Sequence, residues 1–147
     1  MLYNQPIIEH LQLALNAHLP CLCMIHRSSP LPDQYLYLQL SYSPMEIEEE
    51  HLRICFLLSY YSIQLDPEAQ LQQHLQLTAT LRNLRYLSIG CYHDVALHIQ
   101  SLRQPQSPHQ LDESRASWLL HLYFDPQQSS QLLHQSQRRL SISREVS

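Results

Sequence analysis

The chain contains no lysine and one glycine: all nine basic residues are arginines, and Gly90 stands alone among 147 residues. Each absence removes a class of chemistry. A phosphate-cradling P-loop needs several glycines and a lysine, and a dinucleotide fingerprint needs glycines that let backbone approach pyrophosphate. A G-x-S-x-G nucleophile elbow needs two glycines, and a Schiff-base enzyme needs an amine. Charge of one sign is also scarce, because the formal net charge is −4 and the arginines are scattered, so no basic face for nucleic acid is expected. Long apolar runs are missing too. Stretches such as FLL and WLL fall far short of the roughly 18 residues of a membrane span. The opening MLYNQPIIEHLQLAL has no basic residue and is interrupted by Glu9, His10 and Gln12, so no secretory signal is expected and a cytoplasmic location follows.

What is present is leucine, glutamine and tyrosine. Apolar residues make up 44% and charged residues 15% of the chain, enough to bury a core, and the length suits one domain, read as residues 1–140 with a flexible tail at 141–147. Ile8, Leu11, Leu15 and His18 recur at helical spacing, with Asn4 as cap and Pro6 in the first turn. CLCMIHR reads as a short strand. In YLYLQLSY, Leu36, Leu38, Leu40 and Tyr42 alternate with Tyr35, Tyr37, Gln39 and Ser41, which predicts a strand with two unlike faces. The acidic MEIEEE reads as a solvated loop carrying Glu46, Glu48, Glu49 and Glu50. HLRICFLLSYYSIQL then reads as a strand, with a helix as the alternative.

Asp66-Pro67 begins a helix that is expected to run through Leu71, Leu75, Thr78 and Leu81 to about Arg85, with Glu68 favouring the positive end of its dipole. YLSIGCY and DVALHIQSL follow as strands, with a turn near His93-Asp94, then a proline-bearing loop through Pro105 and Pro108. SWLLHLYF is the last strand, and Asp125-Pro126 repeats the earlier junction by starting a helix that ends near Leu140. The order is therefore α-β-β-β-α-β-β-β-α: an α+β domain, one antiparallel sheet with helices packed on it.

Within LDPEAQLQQHLQLTATLRNLRYLSIGCYHDVALHIQSL, a leucine-spaced helix is followed by a small residue at a turn and an aliphatic strand. In this pattern, and in its element order over about residues 3 to 140, the chain resembles the small acidic chaperones of bacterial type III secretion. The resemblance implies a homodimer that binds an extended segment of a secreted effector or translocator protein and needs no cofactor. An immunity protein or regulatory adaptor that binds a folded partner has the same layering, and a histidine-centred hydrolase is the third alternative.

Candidate residues follow from exposure of apolar side chains on strands and on the second helix. Tyr35 and Tyr37 form one aromatic face, and Phe56, Tyr60 and Tyr61 a second, as partner-binding anchors. The even alternative is that these aromatics cover a sheet with no partner. Leu71, Leu75, Leu77, Leu81 and Leu84 are spread around more than one side of the second helix, so a second copy is expected to cover them together with Val95, Leu97 and Ile99. No metal is expected. Cys21, Cys23 and His26 suggest a cluster, but strand alternation points His26 away from both cysteines, and the ten histidines show no H-E-x-x-H spacing. The four cysteines read as reduced core thiols. Arg138-Arg139-Leu140-Ser141 matches a basophilic kinase site by chance.

Overall fold

The computed structural model of the chain describes residues 4–27, 29–41, 46–48, 51–63, 66–103 and 116–134. The elements are α1 (Asn4–His18), β1 (Cys23–Met24), β2 (Gln34–Leu40), β3 (Glu46–Glu48), β4 (His51–Ser62), α2 (Pro67–Asn83), β5 (Tyr86–Ile89), β6 (Tyr92–Arg103) and β7 (Ala116–Phe124). Residues 126–134 form a last helix, α3. The class is α+β, as the element order implies. The seven strands form one sheet in the order β1-β2-β4-β7-β6-β5, with β3 paired to β4. All pairs are antiparallel except β1 with β2, which is parallel over two residues.

Four local expectations are corrected. The glutamate-rich stretch is strand rather than loop at Glu46–Glu48, which pairs with the first residues of β4. β2 takes the later part of the same side of β4, so β2 and β3 act as one interrupted arm of a hairpin. Pairing to a long, buried strand overrides the low strand propensity of glutamate. The first strand is confined to Cys23–Met24 because the chain bends at Ile25 and His26. The turn between β5 and β6 lies at Gly90-Cys91, flanked by the pair Ile89 and Tyr92. Gly90 has φ +60°, the backbone that a two-residue hairpin turn requires at its first central position. His93-Asp94 is instead a bulge, with Asp94 at φ +53° as the extra residue between the Leu87–Val95 and Ile89–Tyr92 pairs. Finally, His18 is exposed, and the buried stripe of α1 is Ile7, Leu11 and Leu15. Tyr42, Glu49, Glu50, the loop 104–115, residues 135–140 and the tail 141–147 lie outside the described residues.

The two Asp-Pro junctions each start a helix straight after a central strand, but they are built differently. Asp125 and Gln128 form a reciprocal capping box: the Gln128 N–H donates to Asp125 Oδ1 at 2.7 Å and the Asp125 N–H donates to Gln128 Oε1 at 3.1 Å. Ser129 then anchors α3 to the sheet, since its hydroxyl accepts the Leu52 N–H at 2.9 Å and donates to the Phe124 carbonyl at 3.0 Å. At the first junction Asp66 is the N-cap and Pro67 opens the helix, but the Asp66 side chain makes no bond to the helix end; the carbonyl of Asp66 accepts from the Gln70 N–H.

One face of the sheet carries the core. Ala116, Trp118, Leu120, Leu122 and Phe124 of β7 join Leu52, Ile54, Phe56, Leu58 and Tyr60 of β4, with Leu36 and Leu38 of β2 and Val95 and Leu97 of β6. The helices cover this same face with Ile7, Leu11 and Leu15, with Leu77 and Leu81, and with Leu132. Period-two alternation then sends every intervening residue to the other face, which contributes nothing to that cluster.

Candidate protein-binding face

The face left uncovered by the described helices is assembled by register, row by row. Tyr35 lies opposite Tyr61, and Tyr37 opposite Ser59 and then Ser117. Gln39, Leu57, Leu119 and Gln100 form the next row across β2, β4, β7 and β6. Cys55, His121 and His98 form another, and Arg53, Tyr123, Ala96 and Tyr86 the last. Leu57, Leu119, Tyr37, Tyr61 and Tyr123 are half-buried and Tyr86 is exposed.

Its aromatic end is organised around an arginine. Tyr35 and Tyr61 stack with centroids 5.1 Å apart, and the Arg27 guanidinium sits 4.6 Å above the Tyr37 ring and 4.7 Å above the Tyr61 ring. Arg27 also donates to the Tyr61 hydroxyl at 2.7 Å. The ring faces attract the cation through their quadrupoles, which holds the segment after β1 against the sheet. β1 itself is tied to α1. The Cys23 N–H donates to Asn16 Oδ1 at 2.7 Å, while the amides of Asn16 and Gln12 donate to the Cys23 carbonyl.

At the centre of the face the Cys55 thiol touches His121 Nδ1 at 3.2 Å, and His121 Nε2 is 3.1 Å from Gln100 Oε1. This is a thiol, an imidazole and an orienting amide in line, the elements of nucleophilic catalysis. Their environment argues for a different role. Cys55 is 3% and His121 7% exposed, so neither reacting atom is open to a substrate. Burial, then the charges of Arg53 and His98, holds the His121 pKa below the ordinary histidine value and opposes an imidazolium–thiolate pair. Because Gln100 Oε1 is an acceptor, the neutral ring carries its hydrogen on Nε2 and accepts a hydrogen bond from the Cys55 S–H at Nδ1. The chain is a polar rivet between β4, β7 and β6. Sequence reasoning missed it, because alternation assigns each residue a face but says nothing about which strands are neighbours.

The expected anchors divide between the two faces. Tyr35, Tyr37 and Tyr61 lie together on the uncovered face, where Tyr37 and Tyr61 are half-buried and Tyr35, 7% exposed beneath its stack with Tyr61, is buried and offers a partner little surface. Phe56 and Tyr60 do not join them, since even positions of β4 point to the core, where they are fully buried and unavailable to a partner. The Tyr60 hydroxyl lies 3.0 Å from Gln34 Oε1 and 2.8 Å from Gln73 Oε1.

The expected dimer residues divide likewise. Leu77, Leu81, Val95 and Leu97 are consumed by the chain's own core. Leu84 and Ile99 are half-buried at its margin, and Leu71 and Leu75 are 53% and 57% exposed. The buried side of α2 is instead Gln70, His74, Leu77, Thr78 and Leu81. His74 lies flat against Trp118 with centroids 5.8 Å apart, which turns Leu71 and Leu75 outward. Burial first, and Arg82 second, lowers the His74 pKa, so the ring packs as a neutral aromatic.

The cysteines are not uniformly core. Cys23 and Cys55 are buried, Cys21 is half-buried and Cys91 is exposed in the β5–β6 turn. Burial pushes the Cys21 thiol up to about 11, and burial with the neighbouring Cys21 pushes Cys23 up to about 12. Cys21 and His26 fall outside β1, so strand parity does not govern them; His26 is exposed while Cys23 is buried. Among the described residues no three His, Cys, Asp or Glu side chains group as a metal site, and no described helix is long and apolar enough to cross a membrane.

The chain matches no family model, no curated protein and no solved structure.

Proposed function

We propose that this protein is a non-enzymatic cytoplasmic chaperone that holds an extended segment of a secreted effector or translocator protein on the uncovered face of its sheet. The observation that carries the reading is the asymmetry of the sheet: three helices cover one face, while the other presents Tyr37, Tyr61, Leu57, Leu119 and Tyr123 half-buried in a band across three adjacent strands, β2, β4 and β7. Apolar area of this kind recognises side chains that a client leaves exposed, at about 25 cal/mol per Å² before ordering costs. Titration against the client that co-purifies from the native host tests it. Tyr37→Ala with Tyr61→Ala should weaken binding tenfold or more, and unchanged affinity would remove the uncovered face from the function. Binding only to a folded partner would favour an immunity protein or adaptor.

The same proposal includes a homodimer, with its interface narrowed to the outer side of α2. α2 rests on its own sheet through Leu77 and Leu81, while Leu71 and Leu75 stay exposed on its outer side, apolar area that packing on that sheet does not require. Light scattering should give about twice 17.3 kDa, and Leu71→Glu with Leu75→Glu should give the monomer. A monomeric parent at tens of micromolar removes the dimer from the proposal.

A further inference from the structure

The described arginines differ in what holds them. The Arg27 guanidinium is stacked on Tyr37 and Tyr61, and Arg53 is half-buried on the uncovered face. Arg82 and Arg85 are exposed, and neither head group has a hydrogen bond or ion pair with another described residue. Both open into one groove of about 580 Å³, where the exit from α2 meets β5 and β6. The remainder of its lining is aromatic and apolar. Tyr86 is 63% exposed and lies opposite Ala96, whose methyl group leaves the space beside the phenol ring open. Ile99 supplies a half-buried aliphatic edge, and the exposed His98 ring stands tilted against His121 at 5.8 Å. No described carboxylate lines the groove, on a chain whose net charge is −4.

We infer that this groove is a binding site for a small phosphate monoester carried on a planar ring, the chemistry that a mononucleotide and an aryl phosphate share. Charge selects the phosphate. Such a group carries about −1.5 to −2 charges at neutral pH and three acceptor oxygens, so one phosphate can accept from two guanidinium forks at once. A carboxylate, with one charge and two oxygens, satisfies a single fork. The exposed His98 imidazole adds a further ring nitrogen beside the same anion. The C-terminal end of α2 opposes an anion with about half a charge, which two full positive charges outweigh. Size and shape select the ring. The volume falls within the roughly 300–1,000 Å³ of small-molecule sites, far more than a bare phosphate fills. A planar ring occupies the rest by offset stacking on Tyr86, with its edge against Ile99. The inference needs neither a client nor a second copy, so it stands or falls apart from the reading above.

Calorimetric titration tests it with adenosine monophosphate and phenyl phosphate, against adenosine, phenol and inorganic phosphate. Each ring phosphate should bind at least tenfold tighter than its unphosphorylated counterpart and than inorganic phosphate, and more weakly as salt rises. The tighter of the two ring phosphates names the ring that the site takes. Amide shifts in the parent protein should centre on Arg82, Arg85, Tyr86 and His98. Arg82→Gln with Arg85→Gln should weaken both ring phosphates at least tenfold, whereas Arg27→Gln, which removes a positive charge elsewhere, should leave them within about twofold. Tyr86→Ala should bring the ring phosphates close to inorganic phosphate without changing phosphate itself, and Tyr86→Phe should restore the preference. All three groove positions are exposed, so the urea midpoint read from Trp118 fluorescence should stay at the parent's value. Equal affinity for adenosine and its monophosphate, retained affinity in the double arginine variant, or shifts centred on Arg27 and Tyr61 would overturn the inference. So would inorganic phosphate binding as tightly as the ring phosphates, which would reduce the groove to an exposed pair of charges.

Discussion

Replacing Phe56 and Tyr61 by alanine should give opposite kinds of protein, although the two residues sit five positions apart on one strand. Phe56 is 0% exposed and belongs to the core cluster under the helices. Removing such a ring from a packed core costs about 3–5 kcal/mol, a large share of the roughly 5–15 kcal/mol that holds a domain together. At about 2–4 °C per kcal/mol for a chain near 150 residues, the midpoint of thermal unfolding should fall by roughly 6–20 °C. Tyr61 loses its stack on Tyr35, its ring contact with Arg27 and the Arg27 hydrogen bond to its hydroxyl. Those are worth about 0.5–1.5 kcal/mol for the aromatic pair, about 0.5–1 kcal/mol for the cation and about 0.5–1.5 kcal/mol for the hydrogen bond, so Tyr61→Ala should cost about 1.5–4 kcal/mol, less than Phe56→Ala. The single tryptophan, Trp118, is fully buried beside His74 and supplies a fluorescence signal for unfolding in urea. Client binding, measured where each variant is folded, should follow the reverse order: Tyr61→Ala loses affinity and Phe56→Ala, once folded, keeps it. A Phe56→Ala protein within about 1 kcal/mol of the parent would refute the assignment of even β4 positions to the core.

Gly90→Ala should cost about 1–3 kcal/mol in urea unfolding, because alanine is strained at φ +60°, and His10→Ala should not rescue it, since the His10 ring 2.9 Å from the added Cβ is exposed and can move aside. Asp125→Ala should cost about 1 kcal/mol by breaking the capping box, and Asp66→Ala less, because the Asp66 carboxylate makes no bond to its helix end; equal losses would count against the difference between the junctions. Acid should destabilise the fold from pH 6.5 downward. His74 and His121 both have pKa values lowered from 6.5, so the unfolded chain binds protons first, and the stability present above 6.5 is lost as pH falls through the lowered folded values. The urea midpoint followed from pH 8 to pH 5 checks this, and His74→Phe with His121→Gln should flatten the slope.

Elements that announce themselves through their own residues were legible in the sequence. β2 alternates tyrosine with leucine and is found with that parity, and both Asp-Pro pairs start helices where local chemistry places them. The misses have a common cause, which is that tertiary neighbours decided them. Glu46, Ile47 and Glu48 form a strand because β4 is long enough to pair with them as well as with β2. The turn after β5 went to Gly90 because one residue in the hairpin had to take positive φ at a two-residue turn, and a second, Asp94, was displaced into a bulge. On α2 the leucine spacing pointed to a stripe through Leu71 and Leu75. The helix is rotated so that His74 meets Trp118 instead, and a histidine is chosen for the interior only because that ring is there to stack on.

The candidate sites were less legible than the fold, and the reason is specific to sheets. A strand's own residues determine which side chains share a face, so Tyr35 and Tyr37 could be placed together from the chain alone, while their meeting with Tyr61 depends on the register of β2 against β4. Which face a helix covers depends on the order of strands across the sheet, and with β4 and β7 at the centre the even residues of both had to be the covered ones. That single choice moved Phe56 and Tyr60 from the surface to the core. Strand order also left β6 longer than β5, because β6 must match the nine residues of β7 while β5 supplies four. A difference in length between neighbours is a quantity no single segment contains. Arg82 and Arg85 line a groove beside β6 because the exit from α2 leads directly into β5, at the end of β5 beyond which the outer side of β6 has no partner strand among the described residues.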